Sequence, residues 1–541
     1  MAIAQSNISA SASAAGKAAS DTAAGRRRRV WKDRHYKWVP NGTGGWKRKA
    51  YIKVHRRRPR RNHPRGPGPK PRRPSAITRP PQPPAPTTPP VAPPPPGAYQ
   101  GTFGPVQAKR LLDRAGFGPV PGQAGQLAQL GLTAAVQSLT RPSGAATLSG
   151  PAPVDDDGLP IAPGHAWGHD HLWWLDRMRR SSQPFVERMA LVFHDWFATS
   201  GDDVSHAQQM IDQSNLFRTH WSGSFLDLAR AVTIDPAMLQ FLSGNTNSKW
   251  APNENYAREL MELFTLGADR GAYTETDIRE AARALTGWRN DWSEELGAHN
   301  FRYDPNRHDI GNKTIFGRTG AWGWQDVPRL CVENPLHVSF FVEKLWSYFI
   351  PTPPDTATRD SLIGIYTSNS LQIRPVVEAI LMHPDFYEGP PMVKPPVVQL
   401  VGMLRALGRY IDTDAWTWIC YPTGQFLFHP PNVAGWDDTR WLDTSRMRAR
   451  WNMVHYALRA VSVNAWNGTY STTETAEQAT ARAKSTWGGI SLLPEHDAEL
   501  LAFARTAQSR ATANWQQAPY RALRQNALLQ LIGVSADVML A

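Results

Sequence analysis

Apolar residues recur every three or four positions along most of the chain from Val106 onward, which is the spacing of an amphipathic helix. Residues 185–197 show this most clearly, because five large apolar side chains there would share one helical face. Strand-like alternation is rare, although residues 301–303 and 314–316 could pair as one small hairpin. The helical spacing predicts further helices over residues 253–266, 276–285, 335–349, 359–368, 372–383, 394–407, 443–462, 493–508 and 517–531.

The ends of the two central helices are indicated by single residues. Asn253 is a favourable N-cap and Gly267 a favourable C-cap for the first helix. Thr276 and Gly287 have the same roles in the second helix. The predicted fold class is therefore all-α, a large multi-helix domain with long loops and at most a small β-hairpin.

The first 100 residues differ from the rest in charge and composition. They hold 22 of the 60 lysines and arginines and only two acidic residues, whereas the remaining 441 residues hold 38 basic and 44 acidic residues. Residues 59–96 contain 17 prolines, which is typical of an extended polyproline spacer. We predict a disordered basic and proline-rich tail over residues 1–100, with one marginal hairpin between residues 36–39 and 46–54, followed by a helical domain over residues 101–541.

Arginine clusters in this tail alternate with aromatic residues such as Trp31, Trp38 and Tyr51. Cations interleaved with stacking rings suit a polyanion, either nucleic acid or an anionic cell-wall polymer. The alternative is a solvated basic tail with no specific partner, because clustered charge gives affinity without specificity. The candidate polyanion contacts are Arg26, Arg27, Arg28, Arg29, Arg56, Arg57, Arg58, Arg60 and Arg61.

Composition and motifs exclude several classes of protein. No run of about 18 consecutive apolar residues occurs, so a transmembrane helix is not expected, and no apolar signal segment is recognisable at the start. On these grounds alone we expect a cytoplasmic protein. Common nucleophile and phosphate-binding motifs are also absent, because the chain has no Gly-x-Ser-x-Gly, no Walker loop and no Cys-x-x-Cys.

Several runs of residues together resemble one known family. These runs are Arg110–Gly118, Glu187–Thr199, Pro252–Gly267, Glu280–Trp288 and Pro430–Trp436. Over about residues 104–460 the set resembles the bacterial uncharacterised family called domain of unknown function 1800, and a helical C-terminal extension follows to residue 541. The resemblance implies a large, mostly helical domain and no established reaction. Members are often exported and often encoded beside a phosphatase- or sulfatase-like family, which implies an envelope or exported location and a partner of that kind.

The longest of these runs carries carboxylates at helical spacing. Asn255, Glu259 and Glu262 stand four and then three positions apart, so one helical face would present an amide and two carboxylates. The next helix brings Glu280, and the short turn between the two helices would make them antiparallel neighbours. His194 lies on a third helix of the same resemblance.

These residues leave three interpretations open. Glu259, Glu262 and Glu280, together with His194 or His308, could bind a divalent metal of hard or borderline type. Two of the carboxylates could instead act as a general acid and a general base. The third interpretation is a network in which arginines neutralise the carboxylates and fix the packing of the helices.

The loop after the second helix adds a further candidate. His308 and Asp309, followed by Gly311 and Lys313, place a base, an acid and a cation within six positions. The alternative is a polar turn in which Asp309 caps the backbone and Gly311 takes a positive φ. The candidate catalytic residues are Glu259, Glu262, Glu280, His308 and Asp309.

Two functions therefore remain open from the sequence. The first is a hydrolase or modifying enzyme with a cleft lined by carboxylates and histidine, tethered to a polyanion by its tail. The second is a non-catalytic scaffold or binding protein whose Glu/Arg motif is structural. A divalent metal is the one cofactor that the candidate residues indicate, and no substrate can be named.

Overall fold

The chain divides into two compact units, Met1–Thr87 and Thr88–Ala541. In the first unit, strand β1 (Lys32–Pro40) pairs with strand β2 (Trp46–Val54) in an unbroken antiparallel register. The predicted hairpin is thus confirmed, and its first strand begins four residues earlier than expected. The structure is a computed structural model that describes residues 32–40, 46–54, 97–462, 473–510 and 518–541.

The predictions made for most of the tail cannot be compared with the structure. The proline-rich spacer and the arginine clusters fall on residues 1–31 and 55–96, which lie outside the described residues. The same is true of the expectation that the tail is disordered. The second unit is therefore the part of the molecule in which a site can be built from contacts.

Eight helices precede the central motif of the second unit. Ser224 and Asp235 cap two of them, because each side chain accepts a hydrogen bond from a main-chain N–H of the first turn. Eleven of the thirteen residues of α5 are buried, so this helix runs through the interior. The eight are α1 (Pro105–Arg114), α2 (Gln123–Ala128), α3 (Leu132–Thr140), α4 (His169–Arg180), α5 (Pro184–Trp196), α6 (Ala207–His220), α7 (Phe225–Thr233) and α8 (Pro236–Phe241).

The central motif forms one helix of two kinds. Helix α9 (Asn255–Glu259) continues directly into a π-helix (Leu260–Thr265), whereas the spacing of apolar residues predicted a regular α-helix throughout. Helix α10 (Glu275–Ala284) follows. Its N-cap is Thr274 and not Thr276 as predicted, because Thr274 and Asp277 form a reciprocal capping box.

Two small antiparallel sheets follow α10. The strands are β3 (Trp288–Ser293) paired with β4 (Gly297–Tyr303), and β5 (Lys313–Ile315) paired with β6 (Arg318–Gly320). The prediction that residues 301–303 pair with residues 314–316 is wrong, because each run pairs with its own neighbour in sequence across a short turn. The domain is all-α as predicted, with two small hairpins where at most one was expected.

Of the twelve helices described in the rest of the second unit, seven confirm the spacing analysis and five were not predicted. The seven predicted between residues 335 and 531 are all present, with ends that differ by at most four residues. None of the described helices is both long and apolar enough to cross a membrane. These helices are α11 (Asp326–Val332), α12 (His337–Ser347), α13 (Thr356–Ser368), α14 (Ile373–Met382), α15 (Pro384–Glu388), α16 (Pro396–Ala406), α17 (Ala415–Cys420), α18 (Thr444–Leu458), α19 (Ala476–Thr486), α20 (Pro494–Arg510), α21 (Ala518–Gly533) and α22 (Ala536–Met539).

The apolar faces of the helices in the second unit meet in one continuous core. Trp174, Trp196, Trp346 and Trp416 are among its largest side chains, and each is at most 1% exposed. Burying a large apolar side chain stabilises a protein by about 2–3 kcal/mol, so these four residues anchor α4, α5, α12 and α17. The core therefore fixes the positions of the helices that carry the candidate site.

Candidate functional site

Arg258 holds three glutamates around the start of the central motif. Its guanidinium lies 2.8 Å from Glu275, 3.2 Å from Glu262 and 3.3 Å from Glu254. The hydrogen bond from Arg258 lowers the pKa of Glu275, which stands at the first position of α10. The arginine therefore neutralises carboxylates and joins α9 to α10.

Arg283 plays the same part for the loop that contains His308 and Asp309. It pairs with Glu280 at 2.9 Å and with Asp309 at 2.8 Å. Burial alone would raise the pKa of Asp309, but hydrogen bonds from Arg283 and from the N–H of Gly311 outweigh burial, and the pKa is lowered. The polar turn expected from the sequence is present, although Gly311 does not take the positive φ predicted for it.

His308 stabilises the same loop. Its Nδ1 lies 2.9 Å from the main-chain oxygen of Thr286, and the Thr286 hydroxyl accepts the N–H of Asp309 at 2.8 Å. Burial lowers the pKa of His308. We define the arginine frame as Arg258 and Arg283 with the carboxylates that they bind: Glu254, Glu262, Glu275, Glu280 and Asp309.

Glu259 differs from the other carboxylates of the central motif. Its side chain is half-buried and has no hydrogen bond or ion pair with any residue that the structure describes. Burial raises the pKa of Glu259, the charge of Glu262 raises it further, and Arg258 offsets only part of the effect. Among the four candidate catalytic carboxylates, Glu259 is the one that no arginine contacts.

The candidate metal ligands His194, Glu259 and Glu262 are not gathered at one point. His194 is buried in α5, and its Nε2 accepts a hydrogen bond from the N–H of Phe428 at 3.1 Å. Within the described ranges, no three His, Cys, Asp or Glu side chains are arranged to hold a metal ion. The structure therefore does not assemble this ligand set.

Side chains from other helices bind the carbonyl oxygens at the end of the π-helix. Lys344 Nζ donates to Leu263 at 2.8 Å, Trp196 Nε1 donates to Phe264 at 3.0 Å, and His337 Nδ1 lies 2.9 Å from the oxygen of Thr265. The last carbonyl groups of a helix lack partners within the helix. These contacts satisfy them, and they place the motif firmly against α5 and α12.

A half-buried group of polar side chains lies beside the π-helix. Asp195, at the end of α5, accepts hydrogen bonds from the hydroxyl of Tyr348 and from the main-chain N–H of Trp436, each at 2.9 Å. Gly435 is required next to it, because its φ is +92° and a Cβ atom there would lie 2.4 Å from Asp195 Oδ1. The Pro430–Trp436 run thus packs closely against α5.

Burial shifts the pKa values of this group. It raises the pKa of Asp195 and places that of Tyr348 well above its usual value. It lowers the pKa of Lys344 to about 8, and the charge of Asp195 opposes that change only in part. A carboxyl group with a raised pKa and an amine with a lowered pKa are suited to general acid and base catalysis.

Two buried histidines hold the backbone of a neighbouring loop. The N–H groups of Leu427 and Phe428 donate to His171 Nδ1 at 3.0 Å and to His194 Nε2 at 3.1 Å. Burial lowers the pKa of both histidines to about 3, so both remain neutral acceptors. Phe428 has a φ of +68°, a strained value for a bulky residue. We call His171, His194, Asp195, Lys344 and Tyr348 the desolvated cluster.

A column of aromatic rings leads from His171 to the surface. Phe426 stacks on His171 with ring centres 4.4 Å apart and on Trp167 with ring centres 5.8 Å apart. The ring centres of Trp167 and Trp418 are 4.6 Å apart, and the two side chains are 57% and 64% exposed. Large apolar groups exposed together are a feature of interaction surfaces. We refer to Trp418, Trp167 and Phe426 as the aromatic column.

Sequence reasoning did not select Asp195, Lys344 or the aromatic column. Asp195 lies within the Glu187–Thr199 run, and a carboxylate inside an otherwise apolar stretch was a usable signal. Lys344 and Tyr348 gave no such signal, because their partners are 81 and 153 positions away along the chain.

Comparison with known protein families identifies the domain. The family model described as "Protein of unknown function (DUF1800)" matches residues 110–540. This match includes the C-terminal helices that the sequence resemblance treated as an extension. Comparison with curated proteins and with solved structures gave no match. Since the matched residues make up most of the chain, the protein belongs to the DUF1800 family.

Proposed function

We propose that the helical part of this protein is a non-catalytic binding or scaffold protein whose Glu/Arg motif is structural. One observation carries the proposal: Arg258 or Arg283 contacts every candidate catalytic carboxylate except Glu259. A carboxylate bound to arginine at 2.8–3.2 Å already has oxygen atoms occupied by the guanidinium and is poorly placed to accept a metal. These residues serve instead to join helices and to hold a loop.

Denaturant unfolding with and without a chelator tests this proposal. A structural frame predicts the same unfolding midpoint in both solutions, and Glu280→Gln should lower that midpoint equally in both. Elemental analysis of the purified protein should find no metal in stoichiometric amount. A midpoint that falls when chelator is added, or bound metal that Glu262→Gln removes, would contradict the proposal.

The aromatic column is the surface through which such a scaffold would hold its partner. By family resemblance, that partner is a phosphatase- or sulfatase-like protein. Trp418→Ser should weaken binding of that partner and leave the unfolding midpoint unchanged, because the side chain is 64% exposed. Trp451→Ser is the matched control, since Trp451 is 49% exposed on α18. Equal binding by both variants would remove the column from consideration.

The same proposal gives the basic tail the role of attaching the protein to a polyanion. The first 100 residues carry 22 basic and two acidic residues, so the tail attracts anions strongly at low salt. The register of the hairpin pairs Lys37 with Lys49, so both strands contribute lysines to this basic segment.

Binding measured on the full chain tests the role of the tail. The variant with Arg56, Arg57 and Arg58 changed to Gln should bind both a DNA duplex and an anionic wall polymer more weakly, with a smaller dependence on salt. The control removes the same charge from the surface of the helical unit, at Arg359, Arg440 and Arg505. Equal losses in the two variants would show that net charge alone controls binding.

A second candidate function is favoured by the desolvated cluster, namely a hydrolase or modifying enzyme that uses Asp195 and Lys344 as acid and base. The two residues are half-buried, so a small substrate could approach them. Competitive labelling of lysines with acetic anhydride at a series of pH values tests the idea. Lys344 should react with a midpoint near pH 8, as its pKa of about 8 requires. A Lys344 that stays unreactive at every pH would exclude it from such a role.

A further inference from the structure

A groove with a volume of about 890 Å³ lies between α1 and α16. Val106 and Lys109 line it on α1, Gln399 and Met403 line it on α16, and Trp487 adds to a lining that is mostly apolar. Pockets of about 300–1,000 Å³ with an apolar lining and a few polar groups are typical of small-molecule sites. The first run of the family resemblance, Arg110–Gly118, supplies part of this wall, and neither proposed function makes use of it.

The polar end of the groove is an ion triad. Asp113 lies 2.9 Å from Lys394 Nζ through one oxygen and 2.7 Å from Lys109 Nζ through the other. The side chains of Asp113 and Lys394 are 4% and 8% exposed, whereas that of Lys109 is 26% exposed. One carboxylate thus faces two ammonium groups, and one positive charge is left over. Burial lowers the pKa of Lys394 to about 8, which shows that Asp113 compensates it incompletely.

Two further residues of the wall, Arg110 and Gln399, carry N–H donors that are not bound to an acidic side chain. The guanidinium of Arg110 donates to the main-chain oxygens of Tyr387 and Gly389, and no described carboxylate pairs with it. Gln399 is 1% exposed, and its Nε2 has no hydrogen-bond partner among the described residues. Buried donors are normally paired, so an unpaired one beside a cavity points to a missing acceptor.

Gln399 and Lys394 are held next to one another. Arg450 donates to the side-chain oxygen of Gln399 and to the main-chain oxygen of Lys394. The unpaired amide therefore lies near the main chain of Lys394, and both residues line the groove. An acceptor at the polar end of the groove would complete the hydrogen bonding of Gln399 and add negative charge beside the lysines.

We propose that this groove binds a medium-chain fatty acid, with its carboxylate at Lys109, Lys394 and Gln399 and its hydrocarbon chain along the apolar wall. Charge complementarity selects the headgroup. The other acidic side chain of the lining, Asp537, already bonds to His496 at 2.6 Å. An anion is thus favoured at the polar end, and the apolar remainder of the groove excludes a small inorganic anion as its sole occupant.

Calorimetric titration of the full-length protein tests the headgroup. The probes are decanoate, decyltrimethylammonium and decyl glucoside, which share a chain length and differ in being anionic, cationic and neutral. Decanoate should bind at least about tenfold more tightly than the other two, because charge-assisted hydrogen bonds are the stronger kind. Equal binding of the three probes, or no binding of decanoate, would overturn the proposal.

Substitutions in the groove locate the binding. Lys109→Gln should weaken decanoate binding by about tenfold. Lys484→Gln is the matched control, because Lys484 is 29% exposed, is paired with Asp497 and is not part of the groove; decanoate binding should be unchanged. Equal losses in the two variants would overturn the proposal. Met403→Trp, which narrows the apolar wall, should weaken all three probes and supplies a second test if Lys109→Gln does not fold. Unchanged affinities in Met403→Trp would also overturn it.

Discussion

The arginine frame and the desolvated cluster use charged residues in opposite ways. In the frame, the side chains of Arg258 and Arg283 are 32% and 30% exposed, and each is bound to more than one carboxylate. In the cluster, His171 and His194 are at most 1% exposed and remain neutral, while Lys344 is only partly compensated by Asp195. Water and neighbouring charges stabilise the frame, whereas packing imposes the state of the cluster.

A run of residues that is easily recognised in the sequence is therefore not always the region in which burial shifts the pKa values. The frame carries the spacing that sequence reasoning selected, yet each of its carboxylates is paired with an arginine. The cluster carries the shifted pKa values and the strained backbone at Phe428, which are features that gather at functional sites. Unfolding measurements on variants from both regions can distinguish charges that are paired with an opposite charge from charges that burial has removed from water.

The buried histidines of the cluster should each reduce stability in acid. The folded state keeps His171 and His194 neutral with pKa values of about 3, whereas an unfolded histidine takes up a proton near its ordinary pKa of 6.5. Between these values the unfolded state binds more protons at these two residues, so their contribution to the free energy of unfolding should fall as pH is lowered from 6.5 towards 3. The slope is up to about 1.4 kcal/mol per pH unit for each histidine.

Denaturant unfolding at a series of pH values measures this slope. The comparison is best made between pH 6.5 and 5, above the ordinary pKa values of carboxyl groups in unfolded chains. His194→Gln should reduce the slope, whatever it does to stability at neutral pH. An unchanged slope in that variant would show that the cluster does not control the response to acid.

Lys344→Met should be the most damaging single substitution in this comparison, lowering the free energy of unfolding by about 3 kcal/mol. It removes the donor to the Leu263 oxygen and a positive charge that acts on Asp195. Lys249→Met is a matched control, because both lysines lie over a tryptophan ring. The Nζ atom of Lys249 is 4.9 Å from the ring centre of Trp250, and that of Lys344 is 4.8 Å from the ring centre of Trp196. The control lysine is exposed, and a loss of similar size there would mean that the cluster has no special role.

Arg283→Gln should have a smaller effect, about 1 kcal/mol, although it leaves both Glu280 and Asp309 without their arginine. These carboxylates are about one fifth exposed, and water can replace part of the lost interaction. Unfolding at low and high salt checks the assignment, because screening should shrink the difference between variant and wild type. Arg279→Gln, one turn earlier on α10, is the control and should change stability little. A loss of about 3 kcal/mol or more for Arg283→Gln would contradict this expectation, because a loss of that size is typical of a broken buried ion pair.

The smallest effects are expected within the central motif itself, and they should differ in sign. Glu262→Gln removes a partner of Arg258 and should lower stability by less than about 1 kcal/mol. Glu259→Gln should leave stability unchanged or raise it slightly at pH 7, because burial already favours the protonated form of Glu259. Unfolding of both variants at one pH supplies the comparison. The same sign for both would mean that the motif does not contain two kinds of carboxylate.

Much of the frame was accessible from the sequence because its contacts are local. The pair Arg258–Glu262 spans four positions and Glu280–Arg283 spans three, and such spacings bring side chains together on any helix. The helices of the second half were found for the same reason, since a period of 3.6 residues needs no knowledge of the fold. Errors arose where a choice depended on neighbours in space, as with Thr274 as the N-cap and with the pairing of the short strands.

The sequence by itself determined the helical class, the approximate ends of seven helices after residue 335 and the i, i+4 pairing of Arg258 with Glu262. Tertiary structure alone decided that residues 260–265 form a π-helix, because side chains on α5 and α12 bind its terminal carbonyl groups. It also decided that Asp195 meets Tyr348 and that Lys344 loses much of its hydration. The physical reason is that spacing along one helix sets which side chains share a face, whereas burial depends on segments that are far apart in the chain and sets the pKa.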